Sequence, residues 1–426
     1  MTDYWREARD ARTDDPNRPG FRISHVETDD GGFLFVPDEL LVSGAAADLL
    51  PVLQGPEYIE LTDTSPGLSA TTVRWFSYGG PVPLLDHVAA LQADARGAAP
   101  AAGVDPDACR VTPHYVMSGE PWIYKGGPFD QVRPAEPWSS GPLPVPLSAP
   151  HVAVLDTGIP IETPGGGMAR LRVDPEEDVD RLWPPGQDGP SFGAEAGHGA
   201  FIAGLVNRMT SSQAGIVALR VLDTDGYGTE VMVVDGLHRL RAAHPTIGVI
   251  NLSLGTRTDG LAPIGLTEAI EAWPTSTVFV AAAGNCGVTD LPYWPAAIGR
   301  VVAVAAIGWN GGSPEPAPFS NTGDWVDLCT DGVSVLSIHS FGRVPIDSAS
   351  FDLIEGWVRW SGTSFAAPIV AAEIARRMVE RNIGAGAALR SLLADLPDAS
   401  AVSPALRGFG RLYDPRQSVG IDPTSP

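Results

Sequence analysis

The sequence predicts an α/β protein in which a doubly wound parallel sheet, from about residue 150 onward, is preceded by a smaller α+β domain. Two observations carry this. Beyond His151, short and nearly unbroken apolar runs alternate with helix-like stretches, as strands buried on both faces require. Before residue 118 the elements instead read β-α-β-β-α-β. A chain of 426 residues at 44% hydrophobic content has enough apolar material for more than one such core.

Taken in order, residues 1–30 are polar and Pro/Asp-rich and are expected to be loosely held. In 31–118, Phe33–Val36 and Leu40–Val42 predict a strand, Ala45–Leu53 a short helix, and Tyr58–Leu61 and Thr72–Phe76 two further strands. Leu84, Leu85, Val88 and Leu91 recur at helical spacing, and Cys109–Val116 closes the unit with a strand. That order is the one of a ferredoxin-like sandwich. Residues 119–149, rich in Pro, Gly and Ser, read as an extended linker. In 150–416 the runs Val152–Leu155, Ile216–Leu219, Gly248–Leu252, Val278–Ala281 and Val301–Val304 predict parallel strands. Helices are expected over Gly199–Asn207, Val231–Ala243 and Leu266–Ala272, with a short tail at 417–426.

Composition narrows the partners. Against 28 Lys and Arg stand 51 Asp and Glu, a formal charge of −23, which repels phosphate backbones and anionic membrane surfaces. No window is apolar over the roughly 18 residues that a membrane span needs, and the first ten residues are charged and lack a secretory apolar stretch. A cytoplasmic protein with no nucleic-acid or membrane partner is the expectation. Cys109, Cys286 and Cys329 are odd in number and widely spaced, which suits neither a disulfide framework nor a zinc site.

In a doubly wound sheet, function gathers at the carboxyl ends of the strands. Asp156 follows the first strand in Leu155-Asp156-Thr157-Gly158, where the glycine lets the backbone turn away. His198 stands between Gly197 and Gly199 ahead of an apolar helix. Ser364 opens another helix in Gly362-Thr363-Ser364-Phe365-Ala366-Ala367-Pro368, where Pro368 is expected in the first turn, at no cost in hydrogen bonding. A hydroxyl becomes a nucleophile only beside a base, and the base needs a partner that fixes its tautomer. Serine, histidine and aspartate meet these needs if the fold unites them. Asn285, after the strand ending at Ala281, is placed to donate to an oxyanion opposite the Ser364 N–H. Singly, each residue has an ordinary role as a strand-end carboxylate, cap or turn residue.

Together, Asp156-Thr157-Gly158, Gly197-His198-Gly199, Ala283-Gly284-Asn285 and Gly362–Pro368 resemble the four signatures of the subtilases, in the Asp, His, Ser order of subtilisin. The resemblance covers residues 150–415, including the closing Gly408–Leu412 segment. It implies a subtilisin-like fold and hydrolysis of peptides or proteins through an acyl-enzyme at Ser364, with no cofactor. It further implies that Ser253, Leu254 and Gly255, and Gly226, Tyr227 and Gly228, are edge segments pairing with an extended substrate. Ala282, Ala283 and Gly284 would line the primary specificity pocket. The 31–118 sandwich resembles the family's inhibitory propeptide in topology, which would bring Val116–Gly119 into the site as a regulatory contact.

The chain departs from the family pattern in places. Ala200 replaces a usual Thr, Phe365 replaces a usual Met with little consequence expected, Thr256 replaces a frequent Gly, and Cys329–Gly332 stands at an expected turn. Calcium, which family members often bind, has a candidate in the acidic run Asp174–Asp180, for which a solvated loop is the competing reading. Restricted specificity is expected of such an enzyme in the cytoplasm. A dedicated processing or ligating enzyme, and a non-catalytic peptide-binding scaffold, remain open alternatives.

Overall fold

A computed structural model describes residues 21–26, 32–119, 133–134, 151–159, 170–172, 195, 197–211, 213–224, 226–345, 351–418 and 420–425; for 133–134, 170–172, 340–345, 351–355 and 418 this extends to the backbone only. The linker expected over 119–149 and the acidic run 174–180 fall almost wholly outside these residues.

The first unit comprises β1 (Ser24–Val26), β2 (Phe33–Val42), α1 (Gly44–Ala47), β3 (Tyr58–Glu60), α2 (Pro66–Ser69), β4 (Arg74–Tyr78), α3 (Leu84–Ala102) and β5 (Val111–Ser118). Its strands run β5-β2-β4-β3 with every pair antiparallel, the fourth-first-third-second order of a ferredoxin-like sandwich. α3 forms because Leu84, Val88, Leu91, Ala95 and Ala99 share one face and are buried there. The helix expected over Ala45–Leu53 is instead α1 followed by a separate 3-10 turn at Pro51–Gln54. Pro51 forces Leu50 out of the helical region, to φ −115° and ψ 77°. Ser24–Val26, expected to be loose, pairs with Phe33–Phe35.

The second unit runs β6 (Arg133–Pro134), β7 (His151–Asp156), β8 (Arg170–Arg172), α4 (His198–Met209), β9 (Gly215–Arg220), β10 (Tyr227–Thr229), α5 (Glu230–Ala243), β11 (Val249–Leu252), α6 (Ile264–Glu271), β12 (Val278–Ala282), β13 (Val301–Asn310), β14 (Ser313–Pro316), β15 (Leu328–Asp331), β16 (Val335–Pro345), β17 (Phe351–Trp360), α7 (Thr363–Arg381), α8 (Ala385–Asp395) and β18 (Arg411–Leu412). Its main sheet has the order β8-β9-β7-β11-β12-β13-β15-β18, all parallel, with β14 antiparallel on β13. Several strands of this unit, β15, β16 and β17 among them, had no counterpart in the expected strands. Cys329, placed at a turn, lies inside β15, and β16 and β17 form a hairpin to which β6 adds an edge.

Alternation along the strands divides the core. Ala153, Leu155, Ile250, Leu252 and Phe279 face α5 and α6, while Val152, Val154, Val249 and Val280 face α4 and α7. The first of these faces continues without interruption into Leu40, Leu41, Leu68 and Phe76 of the N-terminal unit. Backbone pairing joins the units too: β10 adds antiparallel to the outer edge of β5, whose eight residues are all buried. Chain order reverses at β7, which leads to β9 on one side and β11 on the other, so a crevice opens beyond Asp156. At the far end the tail is held, since Leu336 N–H donates to Pro423 O at 2.9 Å and Arg208 to Asp422 O at 2.9 Å. Among the described residues no helix is long and apolar enough to cross a membrane.

Candidate active site

Asp156 ends β7 and His198 begins α4, and the two side chains meet at that switch point. His198 Nδ1 and Asp156 Oδ1 are 2.8 Å apart, and neither residue is exposed to solvent. The same oxygen accepts the Thr157 N–H at 2.8 Å, which fixes the carboxylate's rotation. An acceptor at Nδ1 selects the tautomer with hydrogen there and leaves Nε2 as the basic nitrogen. Gly158, at φ 90°, makes the turn that the sequence required of it. The hydroxyl lost at Ala200 has a neighbour of similar chemistry, because Thr157 Oγ1 accepts the Gly199 N–H at 3.1 Å.

Ser364 is the second residue of α7 and is buried. Pro368 is not in the first turn, as expected, but in the second. Its missing N–H would have bonded the carbonyl four residues back, that of Ser364. Ser253 Oγ takes over this duty, donating to Ser364 O at 2.6 Å and accepting from Asn251 Nδ2 at 2.9 Å. The proline thus ties the start of α7 to the end of β11. Phe365, expected to be inconsequential, packs 5.3 Å from the His198 ring, and Trp360 meets the same imidazole edge-on at 5.5 Å.

Asn285 is oriented by its oxygen. Oδ1 accepts from Thr363 N and from Thr363 Oγ1, each at 2.7 Å, so Nδ2 is the end left to donate. Thr363 Oγ1 also accepts the Gly284 N–H at 3.0 Å. Behind this loop Asn321, which the sequence reading missed, is fully buried. It donates from Nδ2 to Ala283 O at 2.9 Å and accepts from the Cys286 and Val288 N–H groups at 3.0 and 3.2 Å. Gly284 sits at φ 93°, where a Cβ would lie 2.5 Å from Asn321 Nδ2. Ala282, Ala283 and Gly284 therefore form a rigid wall. Burial pushes the neighbouring Cys286 thiol up to about 11, so it is a packed, unreactive group at neutral pH.

The two edge segments flank an extended strand from the chain itself. Ser118 N–H donates to Gly255 O at 2.9 Å, and Gly255 N–H returns the bond to Ser118 O at 2.8 Å. On the other edge, Tyr227, Gly228 and Thr229 pair with Ser118, Met117 and Val116, and Gly119 N–H donates to Gly226 O at 2.9 Å. Leu254 is buried behind its edge. Ser364 Oγ is 2.9 Å from Gly119 O and 3.4 Å from Ser253 O, two carbonyls that can accept its single hydroxyl proton, with Gly119 O the nearer. Sequence reasoning also missed Glu195, a buried carboxylate whose Oε2 is 3.9 Å from His198 Nε2. No signature includes it.

A buried Asp–His pair at a switch point, with a serine at a neighbouring helix N-terminus, defines the class: a serine hydrolase on a doubly wound parallel sheet. The subtilase family model matches residues 148–410. The chain belongs to the subtilase family of subtilisin-like serine endopeptidases. Thermitase of Thermoactinomyces vulgaris is 32% identical over 234 residues, which are 53% of this chain and 73% of thermitase. A thermophilic serine proteinase of Bacillus sp. (strain AK1) is 34% identical over 184 residues, 41% of this chain and 40% of that protein. Fervidolysin of Fervidobacterium pennivorans, a keratinolytic enzyme related to subtilisin, superposes with a TM-score of 0.57 at 18% identity and speaks to fold alone. That match covers 91% of this chain and 62% of fervidolysin, so the chain spans less than two thirds of the latter two proteins.

Proposed function

We propose that the chain is a serine endopeptidase held in check by its own N-terminal unit. Ser364 attacks the peptide carbonyl, His198 takes its proton at Nε2, and Asp156 steadies the imidazolium through Nδ1. The tetrahedral oxyanion is held by Asn285 Nδ2 and the Ser364 N–H. The substrate lies extended between Ser253–Gly255 and Gly226–Gly228, its neighbouring side chain against Ala282–Gly284. The supporting observation is the 2.8 Å Asp156–His198 contact beside a serine whose hydroxyl caps a strand already seated between those edges. Main-chain pairing of this kind is how extended peptides are held. A Ser364 hydroxyl that donates to Gly119 O or Ser253 O does not offer its proton to His198, which supports reading the arrangement as a resting state.

The occupied groove also favours restricted cleavage over general digestion. Intact-mass measurement after incubation with a fluorophosphonate tests the reading. One adduct on wild type, absent from Ser364→Ala, is the expected outcome. Absence of an adduct even when Ser118→Pro weakens the seated strand would identify a non-catalytic scaffold. Cyclised or amine-transferred peptide products would identify a ligating enzyme instead.

A further inference from the structure

Glu195 lies outside the proposed triad yet touches the machinery from two sides. Its Oε2 is 3.9 Å from His198 Nε2, its backbone carbonyl accepts the His198 N–H at 2.9 Å, and the residue is only 6% exposed. Its side chain also crosses directly over Gly226, where a Cβ would fall 2.1 Å from Glu195 Cγ. Gly226 is an edge residue whose carbonyl holds Gly119 N–H. A Cβ on Gly119 would stand 3.5 Å from His198 Nδ1 and Cε1 and 3.4 Å from Leu222 Cδ1, ordinary contacts. Gly119 is not in the left-handed region, so this position of an extended peptide accepts a side chain. That side chain and Glu195 therefore share the His198 imidazole as a neighbour, and Glu195 also covers Gly226, which bonds the backbone of the same position.

We infer that Glu195 is a specificity-determining residue, selecting substrates with lysine or arginine at the residue that occupies the place of Gly119. The inference rests on the reading that Val116–Gly119 lies as a substrate would. An aliphatic stem laid along His198 and Leu222 brings a cationic head towards the Glu195 carboxylate, and a charge-assisted contact in a buried setting is stronger than one at the surface. A neutral side chain would gain the apolar contact alone, and an acidic one would meet a like charge.

The chain carries its own reporter. In the full-length protein, the rate of fluorophosphonate addition to Ser364 reads how firmly the strand is seated. Gly119→Lys, Gly119→Met and Gly119→Glu would be compared in wild-type and Glu195→Gln backgrounds, with Ser118→Pro as a docking control. The expected result is labelling at least tenfold slower for Lys than for Met, faster for Glu than for Met, and no Lys–Met difference once Glu195 is Gln. Equal rates for Lys and Met, or a difference that survives in Glu195→Gln, would overturn the assignment. If Ser118→Pro and every position-119 variant label at the wild-type rate, the docking reading fails and the groove is open. Peptides with Lys and Met exchanged at each position then decide directly: a Lys preference in kcat/KM at one position, lost in Glu195→Gln, upholds the role of Glu195, and no such preference overturns it.

Discussion

The two sides of Ser364 are built differently. On one side, side chains set the geometry: Asp156 holds His198, Thr363 holds Asn285, and Asn321 pins the backbone of the loop in front of it. On the other, main chain holds main chain, as Ser118 pairs with Gly255 and Gly119 with Gly226. The difference separates chemistry from grip. A reacting group works only if its identity and orientation are fixed, so one substitution there should be severe. A backbone ladder spreads its hold over many weak bonds and tolerates nearly any sequence, so one lost bond should be mild.

The sharpest break of that contrast is Asp156→Asn. The amide keeps the shape but offers a donor in place of a second acceptor, and it removes the charge that stabilises the imidazolium. Loss of this partner in a Ser-His-Asp site lowers turnover about 10⁴-fold. Fluorophosphonate labelling of Ser364 should fall by a comparable factor. A loss of tenfold or less would mean that the Asp156–His198 contact is structural only.

Side chains also join the two units, among them Ser65 Oγ to Asp235 Oδ1 and Thr72 Oγ1 to Glu268 Oε1, each at 2.8 Å, and the same interface buries Glu230. Glu230, at the start of α5, is fully buried beneath the N-terminal unit, where its Oε1 accepts the Gly265 and Leu266 N–H groups at 2.7 and 3.1 Å. Burial pushes its carboxyl up to about 7, against the opposing pull of those donors. A folded-state value raised above the unfolded one of 4.5 means that stability is fully present below about pH 4.5 and is lost as pH rises through 7. Glu230→Gln, which cannot ionise, should match wild type in melting temperature at pH 4 and exceed it at pH 8. The gap would be on the order of 3 kcal/mol at most. A constant gap across that window would show that Glu230 does not titrate there.

Thr363→Val probes the oxyanion side more gently. The variant keeps the shape and the Thr363 N–H bond to Asn285 Oδ1, but it loses the hydroxyl that donates to Asn285 and accepts from Gly284. Of the two bonds lost, the one that orients Asn285 bears on turnover, and a bond of this kind contributes about 0.5–1.5 kcal/mol net. The expected outcome is kcat lowered by up to about tenfold with KM little changed, as measured on a peptide substrate. A change confined to KM would place Thr363 in the groove instead.

The same contrast explains what the sequence disclosed. Asp156, His198, Asn285 and Ser364 were legible because each sits in a short motif whose neighbours are dictated by the turn or helix start that presents it. The parallel strands were legible because burial on both faces leaves an unbroken apolar run, as in Val152–Leu155. Asn321 and Glu195 act by tertiary proximity, and their flanking residues carry no pattern of their own. Pro368 was visible as a proline, but its partner carbonyl and the Ser253 hydroxyl that replaces its hydrogen bond are distant in sequence. β15 was hidden because Cys329, Thr330 and Asp331 make a short strand that looks polar, although all three are buried.

The mildest test addresses the ladder itself. Ser118→Pro removes one N–H, the donor to Gly255 O, and leaves the return bond from Gly255 N–H available. A single backbone bond contributes a net stabilisation of about 1 kcal/mol, so the strand should leave the groove about five times more readily. Labelling of Ser364 in the full-length protein should accelerate by that factor, while the melting temperature of the second unit changes little. Acceleration of a thousandfold would mean that the seated strand hangs on this one bond rather than on a distributed ladder. No acceleration, with the position-119 variants equally unaffected, would mean that the strand does not limit access to Ser364 and that the docking reading fails.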